Sequence, residues 1–422
     1  MIKEVLKYIY YSCKGLPYIL YKNNLIKKYH FKLVAEIKAR NKCNVVFFAS
    51  NLPMWKYQRL YELLVHDKRF NVYVLLVGFK NNNIEQNTQW LDTLSEYFDN
   101  NGVEYIDTRK SSFKDFDIKK VINPDILFYP QPYDNLYEDK FAYTTFIDKL
   151  LVYTPYALWT GNDRWGFDET FHNLAWRLYY ANDVNYKLAK KLSISHGRAV
   201  RVVGYPNADN FLFDNHKDVW KNSNSLRKKI IWAPHYSINP QKCLIPQSQF
   251  LCIAELMVEI AKEYSNEIQI AFKPHPRLYR ELVNIWGEEK TKKYFEIWDT
   301  MPNTQVENGL YVDLFMTSDA LIHDCGSFTA EYLYTQKPVM FLTDNINEHK
   351  KVLNEFGAVA FNCHYFGINE QDIRSFISNV VIKGTDPKKE ERRIFFQKHL
   401  LPPNGCTVAE NMYNDIVNSI FG

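Results

Sequence analysis

No G-x-G-x-x-G fingerprint follows a strand-like run in this sequence, and there is no Walker loop, no D-x-D pair placed for a divalent cation and no G-x-S-x-G elbow. Those absences exclude the common dinucleotide cradle, the P-loop phosphotransferases and the serine-hydrolase elbow. The seven cysteines (Cys13, Cys43, Cys243, Cys252, Cys325, Cys363, Cys406) never fall at C-x-x-C spacing. Their odd number and wide separation argue for reduced thiols rather than a disulfide framework or a zinc site. No stretch has the ~20 apolar residues that a membrane span needs, and no signal peptide is visible, so a cytoplasmic protein is expected. A formal net charge of +4 over 422 residues is too small to suggest a nucleic-acid partner.

What is present is a globular composition, 46% hydrophobic and 24% charged, with enough chain for two domains that each hold a core. Residues 1–41 stand apart as a basic amphipathic helical segment. Within 1–31, Lys3, Lys7, Lys14, Lys22, Lys27 and Lys28 face a single acid, Glu4, and are interleaved with Ile, Leu and Tyr. Basic side chains beside aromatics suit a peripheral contact with an anionic membrane, here the inner face of the bacterial cytoplasmic membrane. A helix packed on the first domain with a solvated lysine face explains the same pattern.

From Lys42 onward, apolar runs alternate with helix-length segments. Strands are expected at 43–49, 71–77, 103–106, 125–129, 150–153 and 199–203, with helices at 55–65 and 84–100 and one long helix over 171–192. The polar stretch 206–228 reads as a linker. The alternation then restarts, with strands at 229–233, 268–272, 320–322, 339–342 and 357–361, a helix at 251–264, and helices from Glu370 to the end. The expectation is an α/β protein with two doubly wound parallel sheets, 42–205 and 229–403, and a closing helix over 404–422 that packs back on the first domain. Two such domains make a cleft, with ligands at the carboxyl ends of the strands that face it.

Chemistry-bearing residues do follow strands. The run at 229–233 ends in Pro234-His235-Tyr236-Ser237, and the run at 268–272 in Lys273-Pro274-His275-Pro276-Arg277. The run at 320–322 ends in His323-Asp324-Cys325-Gly326-Ser327. Three strand ends each deliver a histidine. Prolines on both sides of His275 fix its backbone, and Lys273 and Arg277 raise the positive potential around it, which suits a phosphate. The turn residues Asp324, Gly326, Ser327 and Thr329 lead into a helix over 329–334, which aims backbone N–H groups at one point and forms an anion site. Asp324 either caps that helix or orients a neighbouring donor. Glu331, one turn in, is placed either to reach ribose hydroxyls or to sit as a solvated helix residue.

The order of these motifs resembles the CDP-glycerol glycerophosphotransferases that build teichoic-acid-like polymers. The matching segments are Gly204-Tyr-Pro-Asn-Ala-Asp209, Ala233-Pro-His-Tyr236, Lys273-Pro-His-Pro276, Ser318-Asp-Ala-Leu-Ile-His-Asp-Cys-Gly-Ser327 with Glu331, Lys337-Pro338, and Asn404-Gly-Cys-Thr-Val-Ala-Glu410. The resemblance implies a GT-B fold with the nucleotide donor on the C-terminal domain and the acceptor on the N-terminal one. It also implies transfer of a polyol phosphate from a CDP-linked donor to a hydroxyl of a cell-surface glycan or lipid-linked acceptor. By analogy His275, His235 and Asp324 form the catalytic set, with His275 on the transferred phosphate and His235 in proton transfer. Lys273, Arg277, Gly326, Ser327, Thr329 and Glu331 hold the donor, Glu331 through its ribose. No cofactor and no metal are implied.

Three positions depart from the family pattern: Gly326 replaces its first serine, Asn207 its arginine, and Val152 the histidine of its W-H-G-T-P segment. The base then comes from elsewhere, with His172 and His235 as candidates, or the reaction differs. A sugar-nucleotide glycosyltransferase of capsule or lipopolysaccharide synthesis, and a non-catalytic glycan- or nucleotide-binding scaffold, are the alternatives.

Overall fold

The computed structural model describes residues 24–110, 116–222, 226–239 and 248–422. They form two compact units: the chain up to Ala157 with Asp163–Asn207 and Pro402–Gly422, and Leu158–Asn162 with Ala208–Leu401.

The first unit is built on a parallel sheet of β1 (Cys43–Ala49), β2 (Phe70–Leu76), β3 (Ile106–Asp107), β4 (Ile126–Tyr129), β5 (Leu150–Tyr153), β6 (Arg177–Tyr180) and β7 (Val200–Val202). Their order is β3-β2-β1-β4-β5-β6-β7. β4 and β5 are buried at every position, as a sheet covered on both faces requires. The closing helix Val408–Ile420 belongs to this unit. Its Asp415 accepts from Arg177 Nε at 2.6 Å and from the Tyr179 hydroxyl at 2.9 Å.

The second unit repeats the design with β8 (Lys228–Ala233), β9 (Ile268–Phe272), β10 (Thr304–Val306), β11 (Ala320–His323), β12 (Val339–Leu342) and β13 (Tyr365–Gly367), in the order β10-β9-β8-β11-β12-β13. Trp232 sits at the centre of its core, 5.5 Å from Phe250, 5.0 Å from Phe272 and 5.1 Å from Trp298 between ring centroids. That packing fixes the ends of β8 and β9. In both sheets the strand order reverses beside the first strand, between β1 and β4 and between β8 and β11. Ligands of doubly wound sheets bind outside the carboxyl ends at such reversals.

Several elements differ from the sequence expectation. The run 357–361 is helical, within Glu355–Asn362, and the edge strand is Tyr365–Gly367. A short apolar run has no period to separate a buried helix from a strand. Asn354 decides it by accepting the Gly357 N–H at 2.8 Å as an N-cap. Gly357 is also required there, because a Cβ would lie 2.2 Å from the Thr160 carbonyl oxygen. The expected long helix over 171–192 is instead helix Thr170–Leu174, strand β6 and helix Asp183–Leu192. The aromatic run at 176–180 forms a central strand, and Asn182 starts the next helix by accepting the Asn185 N–H at 3.0 Å.

The segment read as a linker is packed in the second unit from Ala208 on: Trp220 is buried and donates to Thr317 Oγ1 at 3.2 Å. A helix over 24–40 buries Ile26, Leu33 and Ile37 and exposes Lys27, Lys28 and Lys32. Most of the basic segment 1–31 lies outside the described residues. Among the described residues, no helix is long and apolar enough to cross a membrane.

Candidate functional site

The C-terminal ends of β8, β9 and β11 lie side by side. β11 pairs with β8 so that His323 is level with Ala233, and β8 pairs with β9 so that Trp232 is level with Phe272. Lys273 extends that ladder, its N–H donating to the Trp232 carbonyl at 2.8 Å. The residues just beyond these ends are therefore brought together by register, in the second unit's sheet alone.

His235 and His275 meet there. Their ring centroids are 5.0 Å apart and nearly perpendicular, and Tyr236 packs against both, at 4.3 Å and 4.5 Å. The Arg277 guanidinium lies over the Tyr236 ring, 4.1 Å from its centroid. Each histidine is oriented by the backbone. The N–H of Arg277 donates to His275 Nδ1 at 3.1 Å, and the N–H of Ser237 donates to His235 Nδ1 at 3.3 Å. A backbone N–H can only donate, so Nδ1 is the bare nitrogen in each ring and the neutral imidazole carries its proton on Nε2. Burial, and then Arg277, holds His235 down to about 4. Burial, His235, Arg277 and Lys273 hold His275 down to about 3. At neutral pH the pair presents two Nε2–H donors, which suits an anion. His235 Nδ1 also lies 2.9 Å from the Ser237 hydroxyl.

Asp324 bridges the strand reversal. Its carboxylate accepts the His235 N–H at 2.5 Å and the Gln249 N–H at 3.0 Å, and also the Ser248 hydroxyl. Of the two sequence alternatives, the cap does not hold and the positioning of a neighbouring donor, the His235 loop, does. The helix that follows, Phe328–Glu331, has no side-chain cap, and Asp324 instead ties the loop after β8 to the start of helix Phe250–Glu263. It is a positioning residue. Burial pushes its carboxyl up to about 6, against the hydrogen bonds from Ser248, His235, Gln249 and its own N–H that pull it down. Ser248, which had no signal in the sequence, emerges as its partner.

Lys273 is 8% exposed and its ammonium donates to the Gly309 carbonyl at 2.8 Å. Burial lowers it to about 8, and Glu307 and Cys325 pull it back up. His323, the histidine at the third strand end, is buried in the core instead of beside the pair. It is the last residue of β11, 0% exposed, 5.1 Å from the Phe341 ring and 5.3 Å from the His364 ring. Thr329 and Glu331 are buried as well, at 2% and 1%. Thr329 donates its N–H back to the Gly326 carbonyl at 3.3 Å. Gly326 is exposed and Ser327 half-buried, so these two carry the accessible part of the turn. The helix behind them is one α turn, followed by the 3-10 turn Tyr332–Thr335. Its dipole is correspondingly small, and the positive character of the site rests on Lys273, Arg277 and the two Nε2–H groups.

A Cβ built on Gly326 meets nothing within 4 Å. Gly326→Ser, which adds the serine of the pattern, is therefore expected to fold with a stability change within about 0.5 kcal/mol of zero in a denaturant titration. A loss several times larger would show that this turn needs glycine.

The base candidates in the first unit fare differently. Val152 lies inside β5 and is 0% exposed. His172 is 1% exposed, and its Nδ1 accepts the Glu169 N–H at 3.0 Å, so its proton also sits on Nε2. Among the described residues no group of three His, Cys, Asp or Glu is placed to hold a metal ion.

Residues 177–418 match the family described as CDP-glycerol:poly(glycerophosphate) glycerophosphotransferase. The chain belongs to this family. As a glycerophosphotransferase-type transferase it has the GT-B arrangement of two Rossmann-like units, a fold shared with solved structures at low identity. A variant of the wall teichoic acid polymerase TagF is similar at a TM-score of 0.56 and 12% identity, over 100% of both chains. The S. aureus MnaA–UDP structure is similar at 0.55 and 13%, covering 89% of this chain and 96% of that one. UDP-GlcNAc 2-epimerase from Neisseria meningitidis, bound to UDP-GlcNAc, is similar at 0.53 and 13%, covering 89% and 100%. No curated protein sequence matches the chain.

Proposed function

We propose that this glycerophosphotransferase moves glycerol phosphate, or a related polyol phosphate, from a CDP-linked donor to a hydroxyl of a cell-surface glycan or lipid-linked acceptor and releases CMP. The observation that carries the reading is the pair of neutral histidines with Nδ1 blocked and Nε2–H presented, beside the Lys273 ammonium at the strand reversal. Such a set neutralises a diphosphate and the charge that spreads over the transferred phosphoryl group, and it works without a metal. The acceptor oxygen attacks the phosphorus that bears the polyol, the P–O bond to CMP breaks, and the acceptor proton leaves to a base, for which His235 and His172 are the candidates. Arg277 and the amides of Gly326 and Ser327 complete the donor contacts. Residues 1–31 supply a peripheral contact with the inner face of the cytoplasmic membrane.

The test is nucleotide release from a panel of CDP-glycerol, CDP-ribitol and UDP- and CMP-linked sugars, with and without EDTA. CMP release from a CDP-polyol that survives EDTA is expected. Turnover of sugar nucleotides alone would favour a glycosyltransferase, the reading that buried Val152 at the family's histidine position keeps open. Donor-induced stabilisation without turnover would leave a binding scaffold.

A further inference from the structure

Of the two cations at the strand ends of the second unit, Lys273 is buried and Arg277 is not. The Arg277 side chain is 61% exposed, and its carboxylate contact, with Glu281 one helical turn on, is 3.9 Å long. An ion pair so long and so wet holds little. Other arginines of this chain are held differently. Arg69, Arg109 and Arg164 each give the Nε and Nη2 hydrogens to an aspartate two or four residues away, at 2.6 to 3.0 Å. Among the described residues the Arg277 guanidinium makes no such hydrogen bond, and what it rests on is the Tyr236 ring.

Tyr236 is well placed to serve as that support. Its ring packs on the core of the second unit and against both site histidines. Its carbonyl accepts the Ile238 N–H at 2.8 Å, and Ile238 is buried. The His275 N–H donates to the Pro234 carbonyl at 3.0 Å, so the loops that carry Tyr236 and Arg277 are joined beyond the strands. How a guanidinium is held decides what it has left to offer. A carboxylate fork takes two of its five N–H donors and offsets its charge. An aromatic face attracts the cation through the ring quadrupole and leaves every donor uncommitted.

We propose that Tyr236 is a positioning residue for the donor: its ring holds the Arg277 guanidinium in place, with its N–H donors free, to take oxygens of the donor diphosphate. The ring face carries this role and the phenol hydroxyl does not. The order imposed before binding removes part of the entropy that a long exposed side chain loses on a ligand. The same placement keeps a positive charge beside His235 and His275 and favours their neutral, donating forms. The inference rests on the transferase reading for the identity of the diphosphate, and the test separates the two.

Calorimetry on the full chain would use CDP, UDP and inorganic pyrophosphate as probes, with thermal unfolding as the check on folding. Tyr236→Phe keeps the ring face and is expected to bind CDP within about twofold of wild type. Tyr236→Leu keeps the bulk and loses the face, and is expected to weaken binding by about five- to tenfold. In an Arg277→Ala background the same leucine change is expected to cost less than about twofold, because the ring acts through the guanidinium. Arg277→Lys keeps the charge but not the planar fork and is expected to lose affinity as Tyr236→Leu does. It alters an exposed side chain, so it decides the matter even if the leucine variant fails to fold. Full affinity in Tyr236→Leu or Arg277→Lys, an equal loss in Tyr236→Phe, or an undiminished leucine effect without Arg277 would each overturn the proposal. So would failure of all three probes to bind the wild type. The expected pattern with UDP or pyrophosphate, and no binding of CDP, would uphold the role of Tyr236 and count against a CDP-linked donor.

Discussion

His275→Ala is expected to lower CMP release from CDP-glycerol by roughly 10²–10³-fold, the effect of deleting one donor aimed at developing charge. The fold is expected to survive, because the ring is half-buried at a loop and its main neighbours are Tyr236 and His235. The informative companion is His275→Gln. The bare Nδ1 that accepts the Arg277 N–H makes the neutral ring a donor through Nε2, and a glutamine amide also offers an N–H at similar reach. Partial recovery in the glutamine variant supports charge stabilisation by a donor. Equal loss in both variants would point to proton abstraction by the ring, and near-normal turnover in the alanine variant would remove His275 from the site.

Asp324→Ala is expected to destabilise the protein by roughly 2–4 kcal/mol at pH 7, measured by denaturant unfolding. Its carboxylate accepts from His235, Ser248 and Gln249, which belong to two segments that the Ser248 N–H also joins by donating to the Ser237 carbonyl at 2.9 Å. The loss is expected to reach the chemistry too, since the loop that carries the His235 ring is held by this bond. Titration gives a second signature. The carboxyl is raised from 3.8 to about 6 in the folded protein, so between these values the folded state binds the proton that the unfolded state has released. The contribution of this group to stability is therefore complete below about pH 4 and is lost as pH rises through about 6. The stability difference between wild type and the non-titrating Asp324→Asn is expected to shrink by roughly 2–3 kcal/mol from pH 4 to pH 7, with other carboxylates cancelling in the comparison. A flat difference, or one that grows with pH, would refute the raised value.

The parallel sheets were legible because strands covered on both faces read as continuous apolar runs, as at 126–129, 150–153 and 339–342. Where such a run also fits a buried helix, local pattern has nothing to choose with. At 357–361 the choice falls to the Asn354 cap and to the close approach of the Thr160 carbonyl to Gly357. The aromatic strand β6 was absorbed into a helix for a related reason. Leu, Tyr and Arg tolerate either state, and its place as the strand between β5 and β7 is a tertiary fact.

The sequence by itself determined the fold class, the order of strand ends and the residues that follow them, because βα loops take their position from the strands before them. Proline on both sides of His275 and the Lys273–Arg277 pair made that loop readable in advance. Only the tertiary structure decided what each of those side chains does. It sends His323 into the core against Phe341, turns Asp324 away from its own helix toward His235 and Ser248, and buries Thr329 and Glu331. It also sets the tautomer of both site histidines through backbone N–H groups. These outcomes depend on which strands are neighbours across the sheet, β8 beside both β9 and β11, and that adjacency is a pairing of segments some 40 to 90 residues apart.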